Sequence, residues 1–242
     1  MIKRSAENEE LLDDASNYNR DAYQKAAHTV DVIICRIFEG ELETLLIKRK
    51  NPPFKNKWAI CGGFIRIAED EGLEQAAQRK LFEEIGVKKL PVRQLATYGD
   101  DAMRDPRDRI ISTVYFALVS EEVFDQQVIR PNQDAAEAKW VNLRKARNLA
   151  FDHRTILNDF DLYMRERIVS DDLAFGLVNK RFTWSELRSV YETVLDRPLI
   201  AQNFPRDIKH NFLINELDET KSVGRGKPAK LCVYQGRVSR FR

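Results

Sequence analysis

Cysteine is scarce in this chain: Cys35, Cys61 and Cys232 are its only three. They stand too far apart for a zinc cage and are too few for a disulfide framework, so a reduced, cytoplasmic setting is expected. Long apolar runs are missing as well. None approaches the ~18 consecutive residues that a membrane-spanning helix needs. Residues 1–27 are rich in Glu, Asp, Asn and Lys and lack the apolar stretch of a secretory signal. Nor is there a large charge excess: the net charge is +2, with 32% charged and 43% apolar residues, the composition of an ordinary globular chain. At 242 residues there is room for one large or two modest domains, each with its own core.

What asymmetry there is lies at the C-terminal end. From Arg197 to Arg242 ten Lys/Arg face four Asp/Glu, a local +6, which leaves −4 for residues 1–196. Between Lys221 and Arg242 seven residues are basic and none is acidic. A basic end on a slightly acidic body points to a polyanionic partner, with a solubilising tail as the alternative.

The chemistry is concentrated between Gly62 and Val87. Leu73, Ala76, Ala77, Leu81 and Ile85 recur at helical spacing and make a core-facing stripe, with Gly86 as the stop. Residues 80, 83 and 84 then lie one turn apart on another face. Gly62-Gly63, Glu71, Arg79, Glu83, Glu84, Gly86 and Val87 resemble a Nudix box, whose form is Gly, five residues, Glu, seven residues, then Arg-Glu-apolar-any-Glu-Glu-any-Gly-apolar. The chain departs from it twice. Seven residues separate Gly63 from Glu71, and Lys80 stands where the pattern has glutamate. Three carboxylates on that face would gather magnesium to neutralise a diphosphate and activate water. An ammonium there repels the metal and can itself reach a phosphate oxygen. Glu83 and Glu84 can still hold one weakly bound magnesium, so no cofactor is required and residual hydrolysis stays open. The same residues also suit the solvated face of an amphipathic helix.

Around the box, strands are expected at Thr29–Phe38, Glu41–Lys48, Trp58–Ile60, Gln94–Tyr98, Ile110–Val119 and Ala138–Val141, with helices before and after. This is a mixed-sheet α/β/α sandwich. A helix is also expected from Leu11 to Ala27. The loop Asp101–Arg109 carries three arginines in six residues, which can clamp a diphosphate or pair with Asp101, Asp105 and Asp108. The candidate ligand contacts are Arg66, Arg79, Lys80, Arg107 and Arg109, with Arg109 preferred because it abuts a strand, and Tyr98 as a stacking partner for a base. A helix running from Asp152, its expected cap, to about Ile168 connects to the C-terminal part. His153 reads as a capping or interdomain hydrogen-bonding residue rather than a catalytic one.

That C-terminal part opens on a capping box, Thr183 with Glu186. Leu187, Val190, Tyr191 and Val194 form the buried stripe of its first helix. A break at Asp196-Arg197-Pro198 follows, then a second helix capped by Asn203, and a hairpin around Ser222–Pro228. Helix, turn, helix and basic hairpin make a winged helix. Arg225, Lys227 and Lys230 are placed for phosphates, and Asn203, Arg206 and Lys209 for base edges. The domains are expected at 1–27 (helical extension), 28–150 (Nudix-like), 151–169 (linker helix) and 170–242 (winged helix).

A Nudix-like domain ahead of a winged helix resembles the Nudix-related transcriptional regulator (NrtR) family. The segments that carry the likeness are Pro53-Phe54-Lys55, the altered box, Asp105-Pro106-Arg107, Leu149 through His153, Phe182 through Pro198, Asn203-Phe204 and Gly224 through Ala229. The resemblance implies a homodimeric repressor of NAD-metabolism genes that binds a double-stranded operator and responds to ADP-ribose, and that is not an enzyme. An active ADP-ribose pyrophosphohydrolase and a sugar-responsive regulator of the same architecture are the alternatives.

Overall fold

The computed structural model describes residues 24–125, 135–222 and 228–238. The N-terminal half is a mixed sheet of seven strands. These are β1 (Ala27–Phe38), β2 (Glu41–Arg49), β3 (Trp58–Ala59), β4 (Cys61–Phe64), β5 (Arg93–Tyr98), β6 (Ile110–Leu118) and β7 (Ala135–Asn142). β1 runs parallel to β6 along its length. On its other edge it changes partner, pairing antiparallel with β4 at Thr29–Val32 and with β2 at Cys35–Phe38. The sheet therefore splits beside β1, and the split leaves a cleft between the end of β2 and the two glycines of β4.

Strand alternation divides the core. Val30, Val32 and Ile34 of β1 face helix α1 (Leu73–Ile85), meeting Ala76, Ala77, Leu81 and Ile85. Ile33 and Cys35 face the other way, against α3 (His153–Arg167). Between the two helices in sequence, α2 (Glu121–Asp125) is a single short turn. The stop at Gly86 forms as expected: its backbone is left-handed, φ 75°, and its N–H bonds the carbonyl of Phe82.

The second core has no break at the domain junction. Ile156, Leu157, Phe160 and Met164 of α3 pack on Val114 and Phe116 of the sheet and continue into Leu187, Val190, Tyr191 and Val194 of α5 (Trp184–Leu195). The Phe116 and Phe160 rings lie 5.3 Å apart. The short α4 (Ala174–Leu177) approaches β6 so closely that a Cβ on Gly176 would stand 2.8 Å from Cβ of Leu118, so a side chain there would push the modules apart. Helix α6 (Phe204–Lys209) and the hairpin β8 (Phe212–Lys221) and β9 (Ala229–Arg237) complete the winged helix. Arg144, just after β7, ties the modules by polar contacts. It donates to Asp161 of α3 at 3.0 Å and to the carbonyls of Thr193 and Val194 at 3.2 and 2.7 Å.

Several expectations change. The helix expected over Leu11–Ala27 lies outside the described residues up to Tyr23; Gln24 to Ala26 have no regular structure and Ala27 already belongs to β1. The Gly62-Gly63 segment of the box lies within strand β4, with ladder partners in β1. Asp152 does not cap α3 through its side chain. Its carboxylate is occupied by Arg104, which donates from Nε and Nη2 at 2.8 and 2.7 Å. Asn203 likewise makes no side-chain cap. No helix among the described residues is long and apolar enough to cross a membrane.

The capping box at α5 forms in both directions: Thr183 Oγ1 accepts from Glu186 N–H, and Glu186 accepts from Thr183 N–H. Thr183 is fully buried, so Thr183→Ala removes both the cap and a buried hydroxyl. Urea denaturation should show a loss of about 1–2 kcal/mol, and an unchanged midpoint would show that the box does not hold this helix.

Candidate functional site

The cleft at the split of the sheet opens into a pocket of about 280 Å³. Arg49 and Lys50 from the end of β2, Arg66 after β4, Arg79 and Lys80 of α1, and Arg107 line it, against Glu84 as the lining carboxylate. Phe64 and Phe151 sandwich the Arg107 guanidinium, 4.7 and 5.4 Å from their ring centres. Burial, and then the charge of Arg107, push the Arg49 guanidinium below its ordinary range. Crowded cations of this kind lower their mutual repulsion by taking in an anion.

The altered box forms the pocket's inner wall. Lys80, Glu83 and Glu84 are all buried, at 7%, 7% and 3% exposure, so the reading of these residues as a solvated helix face fails. The Lys80 ammonium sits 3.0 Å from Glu83 and 3.9 Å from Glu84. Arg79 and Arg66 reach Glu83 as well, at 3.1 and 2.9 Å. Burial opposes ionisation of Glu83, but hydrogen bonds from Lys80 and Arg79 outweigh it and hold the carboxyl below its usual range. Glu84 also accepts from the N–H of Gly62 at 3.4 Å. A Cβ on Gly63 would lie 2.4 Å from Cε of Lys80, so a side chain there would displace the ammonium. These residues do not fit magnesium. One carboxylate already carries three cations, and an ammonium fills the space between the two acids.

Of the expected ligand contacts, Arg66, Arg79, Lys80 and Arg107 come together here; two others do not. Tyr98 turns to the α3 side of the sheet, where its hydroxyl donates to Asp159 at 3.0 Å, so the stacking role is withdrawn. Arg109 is exposed and lines neither the pocket nor its extension, because the loop folds back at Asp105 and turns Arg107 inward instead. Glu71 is also exposed. It is Asp70 that holds Arg79, through two bonds of 2.8 and 2.7 Å.

A second, deeper lobe of about 60 Å³ shares Arg49, Gly62, Gly63, Phe64 and Arg107 with the first, and adds Thr29, Asp31, Arg104, Asp105 and His153. Asp31, Asp105, Arg104 and His153 are each at least nine-tenths buried. Of the four, only Arg104 was weighed from the sequence as a ligand contact, as one of the three loop arginines; the four come from three distant segments, and no local spacing unites them. His153 is not a cap. Its Nδ1 accepts from the N–H of Ile60 at 2.9 Å, which anchors the start of α3 to the pocket floor.

On the other module, Arg206 is exposed and closes on its neighbour Asp207 at 3.0 Å. Lys209 pairs with Glu216 at 2.8 Å and lies 5.3 Å over Trp184. Exposed pairs of this kind contribute little and exchange readily for phosphate. Asn203 starts α6 beside Leu199 and Ile200 in an apolar groove, and Lys230 is exposed on β9. Arg225 and Lys227 lie outside the described residues.

The NUDIX domain family matches residues 27–160, and the NrtR DNA-binding winged helix domain matches residues 174–234. The "ADPR responsive transcriptional repressor NtrR" of Acinetobacter baylyi is 33% identical over 218 residues, 89% of this chain and 85% of that one. Shewanella oneidensis NrtR complexed with a 27mer DNA superposes with a TM-score of 0.73 at 28% identity, covering 86% of this chain and 96% of that one. The NUDIX domain of Shewanella oneidensis NrtR complexed with ADP ribose gives 0.55 at 32% identity, covering 68% and 99%.

Burial holds the His153 imidazole neutral, pushed down to about 3 from its ordinary 6.5. The unfolded chain therefore takes up the proton first, and stability falls as pH drops through 6.5 toward 3. Between pH 7 and pH 5 this removes about 2 kcal/mol. Urea midpoints at the two pH values should show that extra loss in the wild type and not in His153→Gln. Equal losses in both would mean that His153 is not buried neutral.

Proposed function

We propose that this chain, which belongs to the family of NUDIX-domain regulators carrying the NrtR DNA-binding winged helix, is a cytoplasmic transcriptional repressor controlled by ADP-ribose or a related nucleotide diphosphate. The observation that carries the reading is the Lys80 ammonium buried between Glu83 and Glu84, in the wall of a pocket lined by five further cations. Magnesium would have to displace that ammonium before it could hold a diphosphate and activate water. The protein's own cations hold the diphosphate instead. Charge-assisted hydrogen bonds from these cations, each worth about 1.5–3 kcal/mol, supply the attraction. Binding without turnover makes a sensor.

The winged helix is the output. Acting as a homodimer on a palindromic operator, among genes of NAD metabolism as the family resemblance implies, it needs its two recognition helices about 34–36 Å apart, so a small rotation of each module weakens DNA binding. The connecting helix α3 is tied to both modules. At its start, His153 and the Arg104–Asp152 pair join it to the pocket. Along its length, Asp161 meets Arg144, which grips the carbonyls at the end of α5.

Two outcomes are expected. With an operator duplex recovered by in vitro selection, fluorescence anisotropy at fixed salt should show that ADP-ribose weakens binding by about tenfold or more, to the same extent in magnesium and in EDTA. Ligand binding that leaves DNA affinity unchanged would overturn the regulatory reading. Arg144→Met should keep ADP-ribose affinity within about twofold while losing most of its effect on DNA; a full effect in that variant would remove Arg144 from the connection.

A further inference from the structure

Several cations of the winged helix are already paired. Lys221 reaches Glu186 at 2.6 Å, Arg181 reaches Glu219 at 2.6 Å, and Arg206 reaches Asp207 at 3.0 Å. Each of these sets one cation against one carboxylate. Glu216 differs, because a single one of its oxygens, Oε1, takes two donors from two helices. Nζ of Lys209, the last residue of α6, donates at 2.8 Å, and the indole N–H of Trp184, the first residue of α5, donates at 3.3 Å. Lys209 also lies 5.3 Å over the indole, and the indole packs edge to face with Phe204 at the start of α6. Packing between the helices thus brings both donors to one point. Hydrogen bonds from Lys209 and then Trp184, with the charges of Lys209 and Lys230, hold the Glu216 carboxyl below its usual range.

Convergent donors of this kind make a seat for an anionic oxygen, and the indole N–H can only donate. Glu216 fills the seat from β8, at the last paired position before the ladder with β9 becomes irregular. It is exposed there, so its carboxylate can leave into water without opening the fold. The placement of the seat says which anion replaces it. In a helix-turn-helix the second helix enters the major groove by its first residues, while the first helix crosses the backbone. A point shared by the first residue of α5 and the last of α6 therefore falls on the phosphates, away from the base edges expected for Asn203 and Arg206.

We infer that Trp184 and Lys209 form a seat for a DNA phosphate, and that Glu216 occupies it in the free protein as an internal competitor. Lys209 then holds the backbone instead of reading a base. The inference rests on the winged helix binding duplex DNA. Every duplex offers phosphates, so the need to displace Glu216 weakens binding to all sequences alike. A carboxylate kept beside the incoming phosphate also cancels about one cation's share of counterion release. Glu216 thus sets how strongly the protein holds DNA at large and how steeply salt loosens it, without changing which sequence is preferred.

Fluorescence anisotropy on the full chain tests this, with the operator duplex recovered by in vitro selection and a duplex of equal length with scrambled half-sites. Glu216→Gln keeps an acceptor for the indole and removes the charge. It should tighten binding to both duplexes by about three- to fivefold and steepen the slope of log affinity against log salt by up to ~0.9. Trp184→Phe, which keeps a ring against Phe204, should weaken both duplexes by about threefold. Lys209→Met should weaken both by about fivefold. Unchanged affinity and slope in Glu216→Gln would overturn the competitor. Trp184→Phe indistinguishable from wild type, or a Lys209→Met loss confined to the operator, would overturn the seat. A wild type that binds neither duplex would instead overturn the DNA-binding reading on which the seat rests. Should Glu216→Gln fail to fold, the other two variants decide.

Discussion

The Lys80 ammonium lies inside a cluster where Glu83 and Glu84 would otherwise face each other as buried like charges. Taking such groups out of water is expensive, and the attraction between them is spent largely on offsetting that expense, so the contact adds little net stability. Its consequence is arrangement. The ammonium ties Glu83 to Glu84 and lies under β4, where a Cβ on Gly63 would stand 2.4 Å from Cε. Glu83 is shared among Lys80, Arg79 and Arg66, so ion pairs cross-link this wall of the pocket. A preordered cationic wall binds diphosphate without an ordering step.

The split beside β1 gives that wall its depth. Because β1 changes partner from β4 to β2, the sheet cannot close there, and the end of β2 delivers Arg49 and Lys50 opposite α1. The same split exposes Asp31 from the α3 side of β1, and α3 begins with His153 on the pocket floor. Pocket and connecting helix are thus one piece of structure. α3 shares one unbroken apolar core with α5 and α4. Close-packed cores respond to a push by moving as a body.

Local patterns were legible in the sequence. The stripe of α1, its Gly86 stop, the capping box at Thr183 and the strand runs all depend on residues within a turn or two of one another, where periodicity and capping chemistry operate directly. The consequence of Lys80 was also legible, because helical spacing alone puts it beside Glu83 and Glu84. Positions that depend on remote partners were not. Asp152 has the residue type and place of a cap, yet Arg104, 48 residues away, claims its carboxylate. Tyr98 sits on its expected strand and Arg109 just before one, but the side each faces is set by the Ser112 to Tyr98 register and by the fold of the 101–109 loop. Asp31 reads as one polar residue in an apolar strand, a signal of buried function that becomes specific only once Ser112, His153 and Arg104 surround it.

The central claim is that an ammonium replaces the metal, so that the pocket holds its ligand without cutting it. The most direct measurement is AMP release from saturating ADP-ribose with magnesium or manganese, followed by chromatography over hours. No release above the protein-free blank is predicted. Turnover near 1 per second, ordinary for an enzyme, would contradict the account and make the chain a pyrophosphohydrolase with a DNA-binding partner domain.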